Sequence, residues 1–164
     1  IENAFDPTLQ GGALMDIGVY CVASMVMLFG TPVEITARGW FLPGSIDAAG
    51  SLLAEYAGGL QTQLCYSTVN NSFLPCETQG EKGCLQFSPL AVPAKAEIIW
   101  NDGSREPVEF ETTEHDMIYE IRDFIECATT GAPYELYSTL TKETLAVLDK
   151  ARRQIGIEFV KVML

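Results

Sequence analysis

Between Val33 and Glu111 the chain runs through seven strand-like stretches in succession, at 33–41, 48–56, 60–67, 74–79, 84–87, 96–100 and 107–111. Turn signals separate them: Pro43-Gly44, Gly58-Gly59, Asn70-Asn71, Gly80-Glu81-Lys82-Gly83 and Asn101-Asp102-Gly103. A parallel pair needs a crossover of about a dozen residues or more, and none of these connections has the length. The strands are therefore expected to pair mainly antiparallel.

Helical patterns flank this block. Pro7 stops any helix in the opening segment, and Gly11-Gly12 marks a turn. A helix is predicted from 12 to 30, ending at Gly30-Thr31-Pro32, and it is apolar nearly all round, which predicts burial between two layers. A second, at 113–130, repeats Met117, Ile118, Ile121, Phe124, Ile125 and Ala128 at helical spacing and stops at Gly131-Ala132-Pro133. A third, at 138–154, opens on Ser138 as N-cap and carries Lys150, Arg152 and Arg153 in its last turn before Gly156. Helix, strands, then paired helices is an α+β layout: an open antiparallel or mixed sheet of about six strands with helices on one face.

At 164 residues the chain has the length of one domain with a real core. Its 48% hydrophobic and 20% charged residues are those of a globular protein and exclude wholesale disorder. A formal net charge of −12 argues against nucleic acid as a partner and disfavours anionic membrane surfaces. The five cysteines (Cys21, Cys65, Cys76, Cys84, Cys127) are odd in number and widely spaced, so neither a disulfide framework nor a metal set is expected, and a reducing, cytoplasmic setting is. No signal peptide is evident, and the apolar run within 19–29 is too short to span a bilayer. The sequence starts at Ile1 without Met, as a fragment would.

Chemistry concentrates in Gly11-Gly12-Ala13-Leu14-Met15-Asp16-Ile17-Gly18-Val19-Tyr20. Asp16 and Tyr20 stand four residues apart and share a helix face. A carboxylate and a phenol so placed can bind a hydroxyl and pass its proton. The bland alternative is an acid favoured by the helix N-terminus beside a tyrosine with a satisfied hydroxyl. His115, the only histidine, sits in Glu114-His115-Asp116 and reads as a solvated helix-start residue. A single histidine leaves little room for a His-rich metal site or a Ser-His-Asp triad. Gly80-Glu81-Lys82-Gly83 reads as a tight hairpin and not a phosphate loop, since no suitable helix follows. Glu106, Glu109, Glu111 and Glu114 read as a solvated edge. Trp40, Phe41, Phe87 and Trp100 fall at strand periodicity, either in the core or on a sheet face that pairs with another subunit.

The Gly-Gly/Asp16/Tyr20 helix, its Phe29-Gly30-Thr31-Pro32 exit, the strand-rich middle with a Gly-x-x-Gly turn and the closing Arg152-Arg153-Gln154-Ile155-Gly156 resemble the C-terminal domain of the glucose-fructose oxidoreductase, inositol dehydrogenase and MocA (Gfo/Idh/MocA) family. That fold is similar to the C-terminal domain of glyceraldehyde-3-phosphate dehydrogenase. A tyrosine at position 20 is closest to the branch with dihydrodiol and xylose dehydrogenases. The resemblance implies that residues 1–164 form a substrate-binding and dimerisation domain, and that Ile1 to Phe5 are the remnant of a strand that begins it. It places the preceding NAD(P)-binding Rossmann domain, with its Glu-Lys-Pro lysine, outside this chain.

On that reading Asp16 and Tyr20 bind and deprotonate a sugar, polyol or dihydrodiol. NAD or NADP is bound by the other domain, no metal or cofactor is expected on this chain, and alone it is inactive. A homo-oligomer forms through the exposed sheet face. A stand-alone binding module that kept the fold without catalysis is the competing reading. A sugar isomerase or lyase is a weaker third.

Overall fold

The computed structural model describes residues 11–44, 46–112, 115 and 117–158. The expected irregular opening segment with Pro7, the strand remnant at Ile1 to Phe5, and Glu114 and Asp116 lie outside the described residues. The chain divides into two compact units, one drawn from Ile1–Asn71 with Tyr137–Leu164, the other from Ser72–Leu136.

In the first unit a π-helical turn, Leu14–Gly18, leads directly into α1, Val19–Phe29. Three strands follow, β1 (Glu34–Phe41), β2 (Asp47–Glu55) and β3 (Gln61–Ser67), paired antiparallel in the order β1-β2-β3. Helix α3, Glu135–Ile155, closes the chain. Its start lies three residues before the expected Ser138 cap, because Pro133 already ends the preceding break and Glu135 occupies the first turn, where an acid suits the helix dipole.

The register aligns Ala37 with Leu52 and Leu52 with Leu64 across the sheet, and Ile35 with Ala54. These residues share one face and join Val22, Met25 and Val26 of α1 and Val147, Leu148 and Ala151 of α3 in a single core. Both helices of this unit therefore cover the same side of the sheet. On the other side, Arg38, Ser51 and Cys65 stand in line and are exposed, with Trp40 at 56%. Burial of α1 between two layers does not hold within this unit. Met27 (65%) and Leu28 remain exposed, because only one layer lies against the helix.

Strand β1 is an edge, and its outward backbone groups need partners. Gln154 of α3 supplies them: the Ala37 N–H donates to its Oε1 at 2.7 Å, and its Nε2 donates to the Ile35 carbonyl at 2.9 Å. A primary amide carries the donor and acceptor of a peptide group, so it closes the edge as a neighbouring strand would.

The second unit holds β4 (Cys76–Gln79), β5 (Gly83–Ser88), β6 (Lys95–Trp100) and β7 (Arg105–Pro107) in an antiparallel sheet of that order, and α2, Met117–Thr130. The α+β class and antiparallel pairing are as the sequence indicated, with the strands grouped by hydrogen bonding into two sheets. Gly80-Glu81-Lys82-Gly83 is the expected hairpin, closed by the Gly80 N–H donating to the Gly83 carbonyl at 2.8 Å. The last strand comes earlier than 107–111, because the Asn101-Asp102-Gly103 turn delivers Arg105 opposite Ile99. No described residue of α2 is buried.

Tyr66 of β3 fills a slot in the first core between two glycines. A Cβ on Gly18 would touch its ring at 3.3 Å, and one on Gly50 would collide with its hydroxyl. That hydroxyl is buried and has no hydrogen-bond partner among the described residues. Burial, then the negative charges of Asp47 and Cys21, push the phenol above its ordinary value near 10. A phenol that holds its proton more tightly folded than unfolded contributes stability that is complete below pH ~10 and is lost as pH rises further. Tyr66→Phe is therefore expected to flatten the loss of thermal stability above pH ~10 while leaving the midpoint near pH 7 unchanged or raised. Parallel pH curves for the two proteins would show that Tyr66 does not titrate on unfolding.

Candidate functional site

The first helix begins without help from its own flank: Ala13, at the cap position, makes no side-chain hydrogen bond. The initial N–H groups of a helix have no partner inside it. Here one is served from another element, the Leu14 N–H donating to Asp47 Oδ2 at 2.6 Å. Asp47 is 2% exposed. It reaches the helix because β2 carries an extra residue: between Trp40 and Phe41 the pairing skips from Ala49 to Asp47. Bulges of this kind re-aim a side chain, and the alternation of buried and exposed residues breaks there, with Asp47 and Ala48 both buried.

Burial raises the Asp47 carboxyl above its usual range, and the bonds from Leu14 N–H and its own backbone N–H pull it back. The charge is thus met by amide dipoles at the positive end of a helix. Gly12 makes room for it. With φ +150° it sits where L side chains rarely go, and a Cβ there would overlap Asp47 Oδ1.

Asp16 lies within the π-turn and Tyr20 in the first turn of α1, both exposed, Tyr20 to 54%. The Asp16 N–H donates to the Gly12 carbonyl at 3.1 Å, which ties its backbone to the same glycine. A π-turn accommodates one more residue between donor and acceptor than an α-turn. Residues four apart are thereby brought closer to lying directly above one another. Asp16 stands on the exposed side of the helix. Its carboxylate is open to a ligand, and Tyr20 beside it offers a hydroxyl that both donates and accepts. Ile17, Met27 and Leu28 add exposed apolar surface to the same helix.

Other candidates separate from this pair. His115 is exposed, its carbonyl accepting the Ile118 N–H at 3.0 Å, as a helix-start residue. Glu106, Glu109 and Glu111 are exposed, Glu106 accepting from Trp100 Nε1 at 3.2 Å. The cysteines are free thiols, and no group of ligands that could hold a metal occurs among the described residues. No described helix is long and apolar enough to cross a membrane. A shallow groove of about 590 Å³ opens in the second unit, lined by residues such as Pro75, Phe87, Lys95 and Val108, with neither Asp16 nor Tyr20 among them.

A dinucleotide pyrophosphate does not fit the described residues. It calls for a parallel strand-turn-helix unit with free N–H groups at the helix start. The strands here pair antiparallel, and the first helix already has a carboxylate on its Leu14 N–H. Asp47 itself was not legible from sequence. It lies 33 positions from the amide it holds, and the bulge that aims it leaves no mark in a hydropathy pattern.

Comparison with known proteins agrees with this fold. Residues 2–86, just over half of the chain, match the family model described as the GFO/IDH/MocA C-terminal domain. The chain is 33% identical over 161 residues to scyllo-inositol 2-dehydrogenase (NADP(+)) of Bacillus subtilis, covering 97% of this chain and 49% of that protein. It is 29% identical over 170 residues to trans-1,2-dihydrobenzene-1,2-diol dehydrogenase of Mus musculus, covering 97% and 50%. The chain thus spans about half the length of these curated relatives. In fold it is similar to a 3-ketoreductase from Actinomadura kijaniata, with a TM-score of 0.75 at 24% identity over 88% of this chain and 48% of that one. The chain belongs to the GFO/IDH/MocA C-terminal domain family.

Proposed function

We propose that this chain is the substrate-binding half of an NAD(P)-dependent oxidoreductase that acts on a CH–OH group of a sugar, polyol or dihydrodiol. The observation that carries the reading is the exposed Asp16 and Tyr20 on a helix whose outward side also bears Ile17, Met27 and Leu28. Apolar surface around a polar pair is what a substrate site closed by a second domain requires. The relatives named for an inositol and a dihydrobenzene diol support the substrate class.

The chain's share of the chemistry is the proton side. The Asp16 carboxylate accepts a hydrogen bond from one substrate hydroxyl and fixes its orientation. Tyr20 exchanges the proton of the reacting hydroxyl. A phenol does this near neutral pH only beside a cation, and in the family a lysine of the preceding domain has that part. The hydride side belongs to the domain that holds the dinucleotide. This chain alone is therefore inactive, and calorimetric titration with NADH and NADPH should give no micromolar binding; a micromolar Kd would overturn that division.

The exposed face of the β1-β2-β3 sheet, with Trp40, Arg38, Ser51 and Cys65, is the surface through which we propose two copies pair. Sedimentation at micromolar concentration is expected to show a dimer, and a strictly monomeric chain would count against it.

In the intact oxidoreductase, Tyr20→Phe is expected to lower kcat by about 100-fold or more with dinucleotide affinity unchanged. Full turnover without the hydroxyl would remove Tyr20 from the reaction and favour a binding module that kept the fold without catalysis.

A further inference from the structure

We propose that Asp47 is a positioning residue for Asp16 and Tyr20: by holding the Leu14 N–H from β2, it maintains the π-turn that sets the offset between the two side chains. The inference rests on the reading of that pair as the substrate site. Three observations converge on it. The Leu14 N–H to Asp47 Oδ2 bond of 2.6 Å joins the central strand of the first sheet to the residue that opens the π-turn. Gly12, whose carbonyl receives the Asp16 N–H, cannot carry a Cβ without displacing the same carboxylate. The β2 bulge serves to aim this one side chain inward.

The arrangement is more than a helix cap. An ordinary cap side chain comes from the residue beside the helix and moves with it. Asp47 comes from the sheet, so it fixes the start of the helix relative to the sheet. A widened turn is a departure from the α-helix that packing elsewhere must sustain. Release of Leu14 lets the first turn revert to α geometry, which rotates Asp16 relative to Tyr20 and leaves the remainder of α1 on its core contacts Val22, Met25 and Val26. The pair is then present but misaligned, a fault that weakens substrate binding and turnover without touching the dinucleotide.

The test uses Asp47→Ala and Asp47→Asn. In the 164-residue chain, amide hydrogen exchange by NMR should accelerate about tenfold or more at Leu14 in Asp47→Ala, with Leu52 and Ala54 of the sheet unchanged. In the intact oxidoreductase the same variant should raise the KM for the polyol and lower kcat, each by about tenfold, at unchanged dinucleotide Kd. Asp47→Asn keeps an acceptor oxygen and the side-chain shape, so it should recover part of both losses, and it serves alone if the alanine variant does not fold. Exchange that rises equally at Leu14, Leu52 and Ala54 would mean a purely structural role. Faster Leu14 exchange with unaltered KM and kcat, in an enzyme that does depend on Tyr20, would defeat the positioning role by itself. An enzyme indifferent to Tyr20→Phe would instead remove the reading of the pair on which it rests.

Discussion

A buried carboxylate bonded to a helix amide joins the first helix of the first unit to the central strand of its sheet. Burying a charge is costly unless hydrogen bonds meet it. Asp47 is met by the Leu14 N–H, its own N–H and the positive end of the helix, and burial still raises its carboxyl above the usual range. The bond ties the start of the helix that carries Asp16 and Tyr20 to β2. A cap on the flanking residue would have left that start free to shift over the sheet.

The same sheet is held at its β1 edge by a different device. Gln154, near the end of α3, completes the hydrogen bonding of Ile35 and Ala37 on β1. β2, in the centre, carries Asp47 at its own start. The first helix and the last are thus each tied to the sheet by one polar side chain, and the apolar core between them fills with Leu14, Val22, Leu52 and Leu148. Polar groups fix the register of the layers, while apolar burial supplies most of the drive to bring them together.

Local and periodic features were legible in the sequence. Short turns determined antiparallel pairing, the Gly80 and Gly83 pair marked its hairpin, and the Gly30 exit ended α1 where expected. The family was readable from the Gly-Gly, Asp16 and Tyr20 pattern. What escaped depends on distant partners: Asp47 acts across 33 residues, and Gln154 across 117 to Ala37 and 119 to Ile35. The π-turn escaped because Leu14–Gly18 has the pattern of an ordinary α-helix. The exposed side of α1 escaped for a related reason. An apolar helix looks buried on every side, yet within the first unit one layer covers it and Met27 and Leu28 stand exposed.

The division of labour inferred here, proton and substrate on this chain and hydride elsewhere, is tested most directly by a structure of the intact oxidoreductase with dinucleotide and a polyol bound. The account predicts Tyr20 Oη within about 2.6–3.2 Å of the reacting hydroxyl and the Asp16 carboxylate at similar distance from a hydroxyl of the same molecule. A polyol bound beside the nicotinamide but out of reach of both side chains would contradict it.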